Sequence, residues 1–308
     1  MLTGAFRALF LWLSDRRWLG RLAMGTPVVR RMPFRFVAGT TLEQAVEVVH
    51  HLNAGGASAT LDVLGESVDD RASADRAAAH YVEAIERIAA AGLDANVSIK
   101  LTQMGLDVGV EECLAVLAPV VAAGSAHGVF VRIDMEGSAT TERTLEVVDR
   151  LRADGCEVGP VIQAYLHRSP ADVERLAAER VRTRVCKGAY AEPPEVALQE
   201  RDAIGDAFVT LSQRLLEADA YPGIATHDPE MLGRVAAFVR ERGIGADRFE
   251  FQLLYGVRRD LQRRLIAEGH RVRIYVPFGT EWWPYFMRRL AERPANVWFV
   301  LRSVFGER

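Results

Sequence analysis

From residue 57 to residue 279, short runs rich in β-branched and aromatic residues alternate with longer stretches whose apolar positions recur at helical spacing. Eight short runs read as strands: 57–65 (ASATLDVLG), 95–101 (ANVSIKL), 129–136 (VFVRIDME), 158–166 (VGPVIQAYL), 182–190 (RTRVCKGAY), 223–227 (GIATH), 249–254 (FEFQLL) and 271–279 (RVRIYVPFG). Between them lie helical patterns such as ADRAAAHYVEAIERIAAAG, GVEECLAVLAPVVAAG, ATTERTLEVVDRLRADG and DPEMLGRVAAFVRERG, several ending at a glycine suited to cap a helix. Strands separated by helices build parallel sheets, and eight such units predict an α/β fold closed into a TIM-type (β/α)8 barrel. No linker or low-complexity tract divides the chain, so residues 1–56 read as an N-terminal helical elaboration and 57–308 as the barrel, with a final helix over its mouth.

The polar residues inside this pattern are its most informative part. Lys100, Asp134, Glu136, Gln163, Arg184, Lys187, His227, Gln252 and Tyr275 fall at or near the C-terminal ends of the predicted strands, where a barrel of this type carries its active site. Any one of them could belong to a structural ion pair, but nine at one rim point to a site. The rim is cationic: Lys100, Arg184 and Lys187 come from the strands, and Arg288 and Arg289 follow WWPYFM in the final helix. Two guanidinium forks on one helix suit a carboxylate ligand at the mouth, and Glu292, four residues beyond Arg288 on the same face, is a candidate for holding that helix closed. An ordinary solvated arginine pair is the plainer alternative.

Composition narrows the chemistry. At 308 residues and 49% apolar the chain supports one large core, and a net charge of −3 with interspersed signs offers no field for nucleic acid. Cys113, Cys156 and Cys186 are odd in number and far apart, which fits a reducing compartment and argues against disulfides or a metal site. The apolar N-terminal stretch is broken by Asp15, Arg16 and Arg17, too early for a spanning helix; an amphipathic helix packed on the protein is expected. There is no GxxxxGK[ST] loop, GxGxxG fingerprint or HExxH pair, so a bound nucleotide needs another geometry. Lys100 and Lys187 leave a Schiff-base aldolase open, and a barrel serving only as a binding module is the non-enzymatic alternative.

Seven ordered strings, VSIKLTQMG, VRIDMEGS, IQAYL, RVCKGAY, ATHD, FEFQLLYG and IYVPFGTEWWPYFMRRLAE, resemble the proline dehydrogenase family, in its single-function bacterial members and in the matching domain of bifunctional proline-utilisation proteins. The resemblance covers nearly the whole barrel, whereas the N-terminal helices match loosely. It implies non-covalent FAD over the barrel mouth and oxidation of L-proline to Δ1-pyrroline-5-carboxylate by hydride transfer to flavin N5. It further implies that Met135, Gln163, Arg184, Lys187, Gly188, Ala189, Thr226 and His227 contact the cofactor. Arg288, Arg289 and Lys100 would grip the substrate carboxylate, with Tyr190, Leu254 and Tyr275 around the ring. Asp134 and Arg184 carry over as catalytic, Asp134 by orienting Lys100. A methylenetetrahydrofolate reductase-like flavin barrel is the nearest rival, disfavoured by the arginine pair of YFMRRL. A membrane quinone is the implied electron acceptor, so the protein is expected in the cytoplasm with peripheral membrane contact. With no aldehyde dehydrogenase domain after residue 308, the product is expected to pass to a separate pyrroline-5-carboxylate dehydrogenase.

Overall fold

The computed structural model describes residues 10, 12, 13, 16, 33–65, 68 and 70–292, the side chains of 291 and 292 excepted. Much of the helical stretch expected before residue 33 therefore lies outside the described residues.

Eight parallel strands pair in chain order and close on themselves, β1 against β8. They are β1 Ser58–Val63, β2 Ala95–Ile99, β3 Val131–Ile133, β4 Val158–Gln163, β5 Arg184–Cys186, β6 Gly223–Ala225, β7 Glu250–Leu254 and β8 Val272–Phe278. Helix α1 (Leu42–Ala54) precedes the barrel. The outer helices are α2 Arg71–Ala90, α3 Val110–His127, α4 Thr141–Ala153, α5 Ser169–Ala178, α6 Arg201–Glu217, α7 Pro229–Glu241 and α8 Arg259–Ala267, and α9 (Trp282–Glu292) follows β8.

Local chemistry starts several helices where the sequence suggests. Thr41 closes a capping box with Gln44 ahead of α1, and Asp70 and Asp228 accept backbone N–H groups at the starts of α2 and α7, each cap contributing about 1 kcal/mol. Pro229 opens α7, where its missing N–H costs nothing. Helix α3 runs past the expected stop at Gly124 to His127 and is capped by the left-handed Gly128 instead. Gly124 serves packing: a Cβ there would lie 2.9 Å from both the Val129 carbonyl oxygen and the Val131 side chain. Although α3 is long and apolar enough to cross a membrane, it buries Cys113, Val116, Leu117, Val120 and Val121 in the barrel's main core.

Strand alternation divides the core into two chemistries. Ala59, Leu61, Val97, Ile99, Val131, Ile133, Phe251, Ile274 and Val276 are buried in the main apolar core. The alternate positions are polar: Thr60 donates to Asn96 at 2.5 Å, Arg132 donates to the Pro160 and Arg182 carbonyl oxygens, and Arg273 pairs with Glu250 at 2.8 Å. The barrel interior is thus a hydrogen-bonded polar column rather than layers of branched apolar residues. All eight expected strands are present, but all except β7 end earlier at their C-terminal side than the sequence pattern suggests. Lys100, Asp134, Glu136, Lys187 and His227 lie just beyond their strands, on loops. Arg184 instead opens β5, and Gln252 and Tyr275 lie within β7 and β8, so these three are interior residues and not strand-end ones. Their side chains are long enough to reach partners nearer the mouth.

Candidate active site

Asp134 is the hub of the mouth. Its Oδ1 accepts from Arg184 Nη1 at 2.7 Å and Ser98 Oγ at 2.6 Å, and its Oδ2 accepts from Tyr275 Oη at 2.7 Å. Burial alone would raise this carboxyl, but Arg184, then Lys100, with the Ser98 and Tyr275 hydrogen bonds, bring it below its ordinary value. It is therefore an anion at neutral pH. Burial, then the negative charge of Asp134, pushes the Tyr275 hydroxyl well above its usual value, so it remains a donor.

Arg184 is 6% exposed. Besides its bonds to Asp134 and, at 3.2 Å, Ser98, its Nε donates to Gln252 Oε1 at 2.5 Å, and its guanidinium lies 5.2 Å from the Tyr275 ring centroid. Its Nη2 makes no hydrogen bond among the described residues.

Lys100 Nζ donates to Asp62 Oδ1 at 2.8 Å. Burial would lower its pKa, but Asp62 and then Asp134 raise it above the ordinary lysine value, so Lys100 is a cation. The expectation that Asp134 orients Lys100 is corrected here: Asp134 acts on Lys100 through its field, while the hydrogen-bonding carboxylate is Asp62. A lysine held this firmly protonated is also a poor amine nucleophile, which removes the chemical basis for the aldolase alternative at this position. Asp62 is 1% exposed and went unnoticed in the sequence. Its signal was the period-2 pattern of TLDV, which puts Thr60 and Asp62 on one face of β1.

Glu136 accepts from the Thr102 N–H at 3.0 Å and its hydroxyl at 2.7 Å, while burial pushes its carboxyl up. Its backbone oxygen accepts from Gln163 Nε2 at 2.8 Å, and Gln163 Oε1 accepts from the Ala189 N–H at 3.4 Å. Gln163 thereby ties the loops after β3 and β5 together, and Met135, which directly precedes Glu136 in sequence, is buried. Gly188, between Lys187 and Ala189, has φ +125°, and a Cβ there would run into the Tyr165 ring. Lys187 Nζ lies 3.8 Å from Asp228, which also has Arg201 at 3.6 Å. Thr226 is buried and its Oγ1 accepts from the Asp228 N–H at 3.2 Å. His227 Nε2 accepts the Leu254 N–H at 2.9 Å, so a neutral His227 carries its proton on Nδ1.

Tyr190 feels charges from both the barrel mouth and α9. The residue is 43% exposed, yet its hydroxyl is crowded: burial, then Glu136, pushes it up to about 12, and Lys100, Asp134 and Arg288 also act on it. Arg288 thus shares a locality with the mouth residues. The Arg289 guanidinium lies 5.2 Å from the Tyr285 ring centroid on the same helix. Trp282, Tyr285, Phe286 and Met287 root α9 in an apolar cluster with Phe36, Val37 and Leu64. The expected partner of Arg288, the side chain of Glu292, lies outside the described residues.

These groups fit a flavin. A cofactor that gains negative charge on reduction needs fixed cations and donors in a low-dielectric site, and Arg184 presents a buried guanidinium with one nitrogen that no hydrogen bond engages among the described residues. The side-chain-free backbone at Gly188, fixed by Tyr165, offers close approach at the same rim.

The comparisons agree. The sequence profile described as Proline dehydrogenase matches residues 45–302. Proline dehydrogenase 1 of Bacillus subtilis subsp. natto is 40% identical, over 97% of this chain and 98% of its own length. Proline dehydrogenase of Deinococcus radiodurans is 38% identical over 99% of each chain. Among solved structures, proline utilization A from Bdellovibrio bacteriovorus, inactivated by N-propargylglycine, superimposes with a TM-score of 0.81 at 26% identity. That match covers 86% of this chain and 33% of the longer protein. A profile match across the barrel and relatives aligned end to end establish that the chain belongs to the proline dehydrogenase family.

Proposed function

We propose that the protein oxidises L-proline to Δ1-pyrroline-5-carboxylate with non-covalently bound FAD. The observation that carries this reading is the pairing, at one mouth, of a buried, fixed guanidinium (Arg184) with cations suited to a carboxylate (Lys100 and Arg288). Met135, Gln163, Arg184, Lys187, Gly188, Ala189, Thr226 and His227 would hold the cofactor, which supplies a two-electron acceptor for the C5–H bond of proline.

The chain's own residues supply position and charge. Arg288 and Arg289, with Lys100, would bind the substrate carboxylate through charge-assisted hydrogen bonds, which fixes where C5 lies. Tyr190, Leu254 and Tyr275 would shape the space around the pyrrolidine ring. Asp134, whose charged form its neighbours favour, holds Arg184 and Tyr275 and, behind Asp62, helps keep Lys100 charged. The amine must lose its proton before C5 is oxidised, because only a neutral nitrogen can share its lone pair with the developing imine. Electrons would leave to a membrane quinone at the cytoplasmic face, and a separate pyrroline-5-carboxylate dehydrogenase would consume the product.

Mass analysis after incubation with L-proline and a soluble quinone tests this reading. A product two hydrogen atoms lighter than proline, together with release of intact FAD on denaturation, supports it; unchanged proline, or release of FMN, contradicts it.

A further inference from the structure

Arg184 works through its position, and the side chains beneath it account for how that position is held. Gln252, on β7, is 5% exposed. Its Oε1 accepts from Arg184 Nε at 2.5 Å, and its Nε2 donates to Glu250 Oε1 at 2.6 Å. A glutamine amide can in principle be turned end for end, but here neither neighbour tolerates the reversal. A guanidinium only donates, so it requires the oxygen; an ionised carboxylate only accepts, so it requires the amide N–H.

Glu250 is an anion despite being 1% exposed. Burial would raise its carboxyl, but Arg273, then Arg182, with the Gln252 hydrogen bond, hold it at about 2. Arg273 donates through Nε to Glu250 at 2.8 Å and through Nη1 to the Ala59 carbonyl oxygen at 2.6 Å, which anchors the base of the column to β1. Tyr221 Oη adds a contact to Glu250 at 3.4 Å. On β6, Gly223 leaves the space the amide occupies; a Cβ there would collide with it. Cation, anion, oriented amide and cation therefore follow one another through the barrel, from Arg273 to Arg184.

We propose that Gln252, oriented by Glu250, is a positioning residue that aims Arg184 at the flavin and so sets the electron affinity of the bound cofactor. The proposal rests on the reading of this mouth as a flavin site. Without the Gln252 oxygen, Arg184 retains Asp134 and Ser98 but can swing about them, and charge gained by the flavin on reduction is stabilised less. A tenfold weaker preference for the reduced form corresponds to about 30 mV in a two-electron couple.

The test compares flavin-loaded parent, Gln252→Met and Glu250→Gln proteins by reductive titration against a reference dye, alongside proline kinetics. Gln252→Met is expected to lower the midpoint potential by about 30 mV. Its kcat should fall by about tenfold with KM for proline little changed, because the carboxylate grip lies elsewhere. Glu250→Gln, which touches neither Arg184 nor the flavin site, is expected to shift the potential in the same direction, since an amide at 250 no longer enforces the orientation of Gln252. A merely structural role would lower the melting temperature and leave both potentials unchanged. If Glu250→Gln fails to fold because Arg273 is left unpaired, Gln252→Met decides alone. An unchanged potential in Gln252→Met, beside a parent that is yellow and reduced by proline, overturns the positioning role alone. A parent that takes up no flavin overturns it together with the reading of the site.

Discussion

Asp134 concentrates more of this site's chemistry than any other side chain described. Three donors and the field of Lys100 converge on it, so its loss changes charge and geometry together. Replacing Asp134 with Asn keeps the shape but turns one acceptor into an N–H₂ facing donors. The flavin content of Asp134→Asn is expected to survive while kcat falls by roughly 100-fold, on the scale of removing one preorganised electrostatic contact; steady-state kinetics at matched flavin occupancy checks this, and a loss under threefold would remove Asp134 from the hub. Glu250 makes a prediction about stability. Its folded pKa of about 2 lies below its ordinary 4.5, so its contribution is complete above about 4.5 and is lost as pH falls towards 2. Melting temperatures from pH 6 to 2 should show the gap between the protein and Glu250→Gln closing across that window. A constant gap would mean that Glu250 is not an anion in the fold.

At the scale of elements, the loops after β3 and β5 and helix α9 divide the work. The loop after β5 depends on Gly188, whose φ of +125° and contact with Tyr165 leave no place for a side chain. Gly188→Ala is expected to release flavin on gel filtration while circular dichroism still reports the barrel; retained flavin would show that this loop does not cradle it. In the proposed function helix α9 carries the carboxylate grip, so Arg288→Ala should raise KM for proline by at least tenfold, the effect of losing about 1.4 kcal/mol of charge-assisted bonding. The same variant should lose the parent's preference for proline over prolinamide, and an unchanged preference would place the carboxylate elsewhere. The elements also show what the sequence could and could not convey. Every strand was legible, because β-branched runs between glycine-capped helices leave little choice of fold. Strand ends were read too long, since VRIDME and RVCKGAY continue an apolar or alternating pattern into loops whose backbone turns away to serve the site.

Across the whole molecule, the barrel buries two incompatible chemistries back to back: apolar residues against the helices and a charged column inside. The rim cations were legible because charged residues in strand patterns stand out. Asp62, Ser98, Glu250 and Arg273 were not, because a partner's identity depends on register around the closed barrel: Ser58 opposite Arg273, and Gln252 opposite Arg273 on the other side. No linear spacing encodes that closure. Lys100 was found in the sequence, but its partner Asp62 lies 38 residues earlier on a neighbouring strand.

The most direct test of the account is an anaerobic absorbance spectrum of the purified protein, recorded before and after L-proline is added. A flavin band near ~450 nm that bleaches with L-proline and not with D-proline is the predicted result, since the cofactor, the carboxylate grip and the aimed C5–H bond must all be in place for it to occur. A yellow protein whose band L-proline leaves unchanged would contradict the substrate reading, and a protein that stays colourless after incubation with FAD would contradict the site itself.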